Sequence, residues 1–520
     1  MIEAPSGVPA PEAGAPKSTA GAHAEAGYLR STLRHGGIYT LGVILSRLVG
    51  FIMIPVYTRV LVPADYGILE ILSLTTDILG MLAGMGIGLA VMRQYYAAPD
   101  EDGRHIVASS AATLLLGVFA VVAVAGLLAA GSLSPILLGP DQSPNLVRLA
   151  VVFLAIGSTI EVPMAMLRAR QRSAGVVTIG LVRLMLSLGL NIVFVVVMRL
   201  GVAGVLYSSI LSALLVGGYL TVQLYRESGV RFDPRVARGL VAFGAPLVLW
   251  NISSFVLHYS DRYFLRVFDS LEAVGLYSLG YKLAMLISLM VSGPFSDIWI
   301  PKSLEIDRRE GERAVPILTS ILLVYNLLLV TVAFGVALFA EEVVRLVAGS
   351  SFGAAADTVP VLALGMVFFA YRSVGQIGAL IRGRSDLIAI ATVLAAVVVT
   401  LMNILLIPVL GVHGAALATL IAFAFEFFVM RRLSRNVHPL QVPLFPLLRP
   451  VVLGALVWWT ADVLATETMS LLPRLGIRVA AVGVYGFALF ASGAVPAAVQ
   501  QGIARALREP RSVLAVLRGS

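Results

Sequence analysis

The side chains that invite a chemical reading are ionisable or amide groups set inside stretches that are otherwise apolar: Arg47, Asp77, Asn251, His258, Asp261, Arg262, Lys282 and Arg372. A charged side chain at the centre of a bilayer costs about 2.5–3.5 kcal/mol even on a lenient insertion scale, so each should face protein or a water-filled cavity. Arginine and lysine in such a place would hold anionic groups, strengthened by the low dielectric around them. Asp77, His258 and Asp261 are candidates to hold a cation or a proton.

Spacing shows that these groups share helix faces. Glu70, Ser73, Asp77, Gly80 and Gly84 follow one another at three or four residues, as do Asn251, Ser254, His258 and Asp261. Ser278, Lys282, Met285, Ser288, Ser292 and Ser296 do the same, followed by Gly365, Arg372 and Gln376, while Thr40 and Arg47 lie two turns apart. On a 3.6-residue helix each set forms one stripe. Each also has a plainer reading. Gly80, Gly84 and Gly88 suit close helix packing. Asn191 and Asn403 suit hydrogen bonds between helices, and Asp261 with Arg262 suits an ion pair at the outer end of its helix. His258 suits a hydrogen-bonded structural residue. Arg47, Lys282 and Arg372 are the hardest to explain without a ligand, although a buried pair between a cation and Asp77 is an alternative.

The elements that position these residues follow from composition. The chain has 520 residues, 58% hydrophobic and 13% charged, with a mean hydropathy of +0.92. Apolar runs of roughly 20 residues, enough to cross about 30 Å of hydrocarbon, recur along almost all of it. Spans are predicted near 35–60, 66–92, 106–130, 146–167, 174–197, 202–224, 239–262, 273–300, 314–339, 358–381, 386–408, 413–430, 446–465 and 476–498. The fold class is therefore an all-α polytopic membrane protein of about fourteen transmembrane helices. The net charge of +9 comes mainly from arginines in short loops, which argues for membrane topology and contact with anionic lipids rather than nucleic acid. With no cysteine and six scattered histidines there is no disulfide, thiolate or metal-ligand spacing, and no cofactor is expected.

Lys and Arg favour one alternating set of loops by roughly three to one, which predicts both termini in the cytoplasm. Residues 1–30, rich in Ala, Pro and Gly, read as a disordered tail. Residues 31–225 and 235–431 form two six-helix lobes, 445–498 add two helices, and 499–520 suit an amphipathic cytoplasmic tail. The lobes echo one another. Tyr57-Thr58-Arg59-Val60 before Tyr66-Gly67 is matched by Phe264-Leu265-Arg266-Val267 before Val274-Gly275. Leu167-Arg168-Ala169-Arg170 is matched by Ile381-Arg382-Gly383-Arg384. Leu190-Asn191-Ile192 with Gly201-Val202-Ala203-Gly204 is matched by Met402-Asn403-Ile404 with Gly411-Val412-His413-Gly414. An even number of helices per repeat implies a pseudo-two-fold axis along the membrane normal.

Leu45-Ser46-Arg47-Leu48-Val49-Gly50-Phe51, continuing through Ile54-Pro55 and Thr58-Arg59 to Asp65-Tyr66-Gly67, resembles the opening of bacterial polysaccharide flippases of the multidrug/oligosaccharidyl-lipid/polysaccharide exporter superfamily. Asp261-Arg262, running to Gly275-Leu276-Tyr277 and Tyr281-Lys282, is similar to the start of their second half. Asn403-Ile404 to Ile407-Pro408, then Gly411 and Gly414-Ala415-Ala416, matches a third recurrent pattern. The resemblance covers roughly residues 35–430.

It implies two lobes in a V around a central cavity lined by helices 1, 2, 7 and 8, in a bacterial cytoplasmic membrane. It also implies the substrate: an oligosaccharide linked through pyrophosphate to a polyprenyl carrier, turned from the inner to the outer leaflet by alternating access. Arg47, Lys282 and Arg372 would hold pyrophosphate or acidic sugars. A polysaccharide polymerase and export machinery are the expected partners. The nearest alternative is a multidrug or lipid II exporter of the same superfamily, which Asp77 and Glu70 keep open. An integral-membrane polymerase or ligase would need a sizeable outer loop, and a channel would need a ring of subunits; neither fits the loops or the repeat.

Overall fold

The computed structural model describes residues 53–438, 440, 443–465, 469–495 and 500. The candidates Thr40 and Arg47, most of the first predicted span, and both predicted tails apart from residue 500 lie outside the described residues. The chain is an all-α polytopic membrane protein, with no strand among the described residues. Eleven helices there are long and apolar enough to cross a membrane.

Residues 53–60 are helical and lead into α1 (Pro63–Gly84), which starts on a proline at its first turn. There the missing N–H has no helical partner to lose. Two left-handed residues, Met85 and Gly86, break the span before it resumes as α2 (Ile87–Ala97). Then come α3 (Glu101–Leu137), α4 (Pro144–Gly157), α5 (Glu161–Ala169), α6 (Ser173–Asn191) and α7 (Gly201–Ser228). The second half holds α8 (Pro234–Phe268), α9 (Leu271–Ile287), α10 (Gly293–Glu310), α11 (Ala314–Leu338), the short α12 (Ala340–Val347), α13 (Val359–Gly375), α14 (Ile377–Ile381) and α15 (Ser385–Arg435). α16 (Leu444–Leu464) and α17 (Leu471–Ala491) follow. Side chains cap the polar ends: Asp100 accepts from Gly103 N at 2.7 Å, Asp233 from Arg235 N at 2.7 Å and Ser270 from Ala273 N at 3.0 Å.

Every predicted span from 66–92 onward has a helical counterpart. The spans at 386–408 and 413–430 are one element, α15, whose two parts meet at Gly411 in a non-helical conformation (φ 53°, ψ −128°).

The sequence echoes correspond to shared local geometry. Gly201 and Gly411 both have positive φ, a region open to glycine because it lacks a Cβ. A Cβ on Gly204 would lie 2.9 Å from the Phe194 carbonyl oxygen, and one on Gly414 would lie 2.4 Å from that of Leu406. The first echo is a reciprocal contact. A Cβ on Gly67 would sit 1.9 Å from the Leu271 carbonyl oxygen, and one on Gly275 would sit 1.9 Å from that of Pro63. α1 and α9 thus cross backbone to backbone, as small residues allow in a membrane. Flanking this crossing, the Thr58 carbonyl packs on Gly349, and the Arg266 guanidinium packs on Gly139.

α8 packs along α15, α15 along α13, and α13 against α9 and α11; in the first half α3, α4 and α7 form a layer with α6 outside it. α11 carries α16, and α16 carries α17. The final helix is also tied by charge. Arg474 reaches Glu341 at 2.5 Å, and Arg478 reaches Glu341 at 2.7 Å and Glu342. Both arginines are buried. The fold holds them at the start of α12 as an ionic clamp between helices.

Candidate functional site

A cavity of about 770 Å³ opens between the two halves, lined by residues 53–57, α1, α4 and α7 on one side and by α8, α9 and α13 on the other. Its walls are mostly aliphatic and aromatic, with Tyr57, Tyr66, Tyr259 and Tyr281 among them. Their polarity is concentrated where α1 meets α9. Lys282 Nζ lies 2.7 Å from Glu70 Oε2, donates to the Tyr66 hydroxyl at 3.1 Å, and sits 4.7 Å from the centre of the Tyr66 ring. The lysine side chain is 36% exposed and the glutamate 12%, so the lysine is the accessible member of the pair. The carboxylate that meets the cation is therefore Glu70 rather than Asp77.

His258 lines this cavity, with Phe369 and Phe423 rings at 4.9 and 5.3 Å. One turn further along α8, Asp261 and Arg262 are only 2% and 1% exposed and do not line it. Their pairing is buried rather than interfacial. Arg262 Nη1 donates to Asp261 Oδ1 at 2.6 Å and to the His258 carbonyl at 2.9 Å, and the guanidinium stands 4.0 Å from the centre of the Tyr281 ring. Asp261 Oδ2 accepts from Tyr277 at 2.5 Å and Thr419 at 3.2 Å. Arg262 thus stands behind Tyr281, which lines the cavity.

Arg372 also lies away from the cavity lining. Its Nη1 reaches Glu426 Oε1 at 3.4 Å, and the same oxygen accepts from Thr392 at 2.9 Å. Sequence reasoning overlooked Glu426, although a carboxylate inside the predicted span 413–430 was itself a signal. It also overlooked the four tyrosines, whose spacing does not separate core from cavity. Asn191 and Asn403 hold helices together as expected: Asn191 Oδ1 accepts from the Tyr57 hydroxyl at 3.1 Å, and Asn403 Nδ2 donates to Ser260 Oγ at 3.4 Å.

Asp77 and Asn251 line a different space. A second cavity of about 520 Å³ is lined by both, together with Glu161 and Arg183. Thr76 and Phe153 line both cavities, which therefore adjoin. Gly80, Gly84 and Gly88 face this space. Among the described residues, a Cβ on Gly84 or Gly88 would meet nothing within 4 Å and one on Gly80 only Leu154 at 3.6 Å, so the row borders the cavity and packs closely on no described helix.

Solved structures share this architecture. Lipid II flippase MurJ in its inward closed conformation superposes with a TM-score of 0.67 at 13% identity, covering 87% of this chain and 99% of that one. A multidrug resistance MATE family transporter of the MOP superfamily, in its inward-facing conformation, gives 0.56 at 19% identity, covering 75% and 94%. Among curated proteins, an uncharacterized membrane protein of Methanocaldococcus jannaschii is 25% identical over 225 residues, 42% of this chain and 43% of that protein. A probable low-salt glycan biosynthesis flippase of Haloferax volcanii is 24% identical over 188 residues, 36% of this chain and 40% of that one. The matches thus span about two-fifths of each curated relative. The family model described as "Polysaccharide biosynthesis protein" matches residues 32–307, more than half of the chain and the part that builds most of the cavity wall from both halves. The chain belongs to that polysaccharide biosynthesis family, on the fold of the MOP-superfamily transporters.

Proposed function

We propose that the protein is a flippase that turns a polyprenyl-pyrophosphate-linked oligosaccharide from the inner to the outer leaflet, for a surface or exported polysaccharide. The observation that carries this reading is the cavity between the halves, mostly apolar and aromatic, with the accessible Lys282 beside Glu70 on its wall. An amphiphile with one anionic linkage matches that wall: the cation takes the pyrophosphate, and the tyrosines present apolar faces with hydroxyl tips. The lipid tail stays in the bilayer while the head group crosses by rocking of the two lobes, 31–225 and 235–431. The charge bias of the loops supports both termini in the cytoplasm of a bacterial cell. Transport of this kind needs no covalent chemistry from the protein, and a polymerase and export machinery would draw off the product. Arg47, by its place in the family-like opening, joins Lys282 as a candidate for the anionic part.

The test is a leaflet-access assay in proteoliposomes containing a pyrophosphate-linked polyprenyl oligosaccharide. Wild type should expose the lipid to the opposite leaflet. Lys282→Ala should slow that by about tenfold to a hundredfold, the worth of a charge-assisted hydrogen bond. Asp77 and Glu70 on the cavity walls favour a second reading, a multidrug or lipid II exporter. Expulsion of cationic dyes in a sodium- or proton-dependent way, with no movement of lipid-linked sugar, would put that reading in place of the first.

A further inference from the structure

The second cavity is lined by charged groups that no described residue neutralises. Asp77 and Arg183 lie near the middle of the spans Pro63–Ala97 and Ser173–Val197. Both are exposed to the cavity, and neither side chain has a hydrogen-bond or ion-pair partner among the described residues. The same holds for Glu161 and for the amide of Asn251. Unpaired charges at membrane depth persist only where water or a polar ligand solvates them. Asp77, Glu161, Arg183 and Asn251 therefore present polar atoms to the cavity that no described side chain occupies.

The lining indicates what. Two carboxylates against one guanidinium disfavour an anion. A bare cation is a poor match for about 520 Å³ with Arg183 in the wall, and no three acidic or histidine side chains converge as a metal site among the described residues. A neutral polyhydroxylated ligand suits the set: carboxylates accept from hydroxyls, the guanidinium donates to them, the Asn251 amide does both, and Phe119 and Phe153 supply apolar faces for sugar rings. The cavity also adjoins the one that holds Lys282, through Thr76 and Phe153.

We infer that this second cavity is a saccharide subsite, in which Asp77, Arg183 and Asn251 bind sugar hydroxyls while the Gly80, Gly84 and Gly88 wall limits the bulk of the glycan. The inference rests on the flippase reading. It divides the head group into an anionic linkage near Lys282 and a glycan beside α1, α2 and α6.

The experiment uses the full chain in proteoliposomes with two probes, a polyprenyl pyrophosphate bearing one N-acetylglucosamine and the same carrier bearing a pentasaccharide. The readout is the ratio of pentasaccharide to monosaccharide translocation. Gly84→Leu, which fills open space, and Arg183→Gln, which removes the donor fork, should each lower that ratio by about tenfold or more. Lys282→Ala should slow both probes and leave the ratio near that of wild type. If Gly84→Leu moves neither probe, Arg183→Gln decides alone. A ratio that stays at the wild-type value overturns the subsite. So does an Asp77→Asn variant that slows both probes alike and abolishes a sodium or proton dependence seen in wild type, because the cavity is then an ion site. If wild type moves neither probe, the flippase function itself falls, and the subsite falls with it.

Discussion

The two ends of α1 make different uses of glycine. Near its start, Gly67 lies against the backbone of α9, reciprocated by Gly275, and no side chain fits between them. Near its end, Gly84 and, beyond the break at Met85 and Gly86, Gly88 face open space. The closed end is backed by the buried Asp261, Arg262 and Tyr277 network, whereas the open end borders Asp77, which pairs with no described residue. α1 thus touches the second half at both ends, through Gly67 against α9 and through Met85 against Gly244 of α8, while the Gly84 and Gly88 face borders the second cavity. Identical residues at helical spacing act as contact or as clearance according to what stands opposite. Polar groups divide in the same way: those beside the tight crossing satisfy each other, and those beside the opening face the second cavity without a partner among the described residues.

Breaking the closed end should cost most. Asp261→Ala leaves the Arg262 guanidinium buried without its counter-charge, for a loss of about 3–5 kcal/mol, read as a lower unfolding temperature by tryptophan fluorescence in detergent. An unfolding temperature equal to wild type would mean that the pair is not structural. Gly275→Ala places a methyl against the Pro63 carbonyl and should cost about 1–3 kcal/mol in the same assay, with Gly67→Ala similar by reciprocity. If only one of the two destabilises, the contact is not energetically symmetric. Tyr277→Phe removes one donor to Asp261, and its loss of about 1.5–3 kcal/mol should largely vanish in an Asp261→Ala background, because the two act as one network. Gly84→Ala, at the open end, should stay within about 0.5 kcal/mol of wild type. Destabilisation comparable to Gly275→Ala would erase the distinction between the ends.

Much of the fold was legible because hydrocarbon demands long apolar helices, and length and hydropathy identify those directly. Gly67 and Gly275, or Gly201 and Gly411, could be matched because close approach and positive φ exclude other side chains, so the residue type itself carries the geometry. The polar stripe on α8 was also visible, yet its members part company. His258 lines the first cavity, Asn251 the second, and Asp261 lies buried between helices. Glu426 escaped notice because its partner stands on another helix: only packing brings it to the partly buried Arg372.

The amino-acid sequence by itself determined the helical spans, their repeat, and the side chains too polar to face lipid, since each follows from the cost of placing a group in hydrocarbon. Only the tertiary structure decided which of those polar groups meet one another and which remain open to a cavity. Helical periodicity tells which residues share a face, but the partner across that face comes from another helix, often more than a hundred residues away, as Glu70 comes to Lys282.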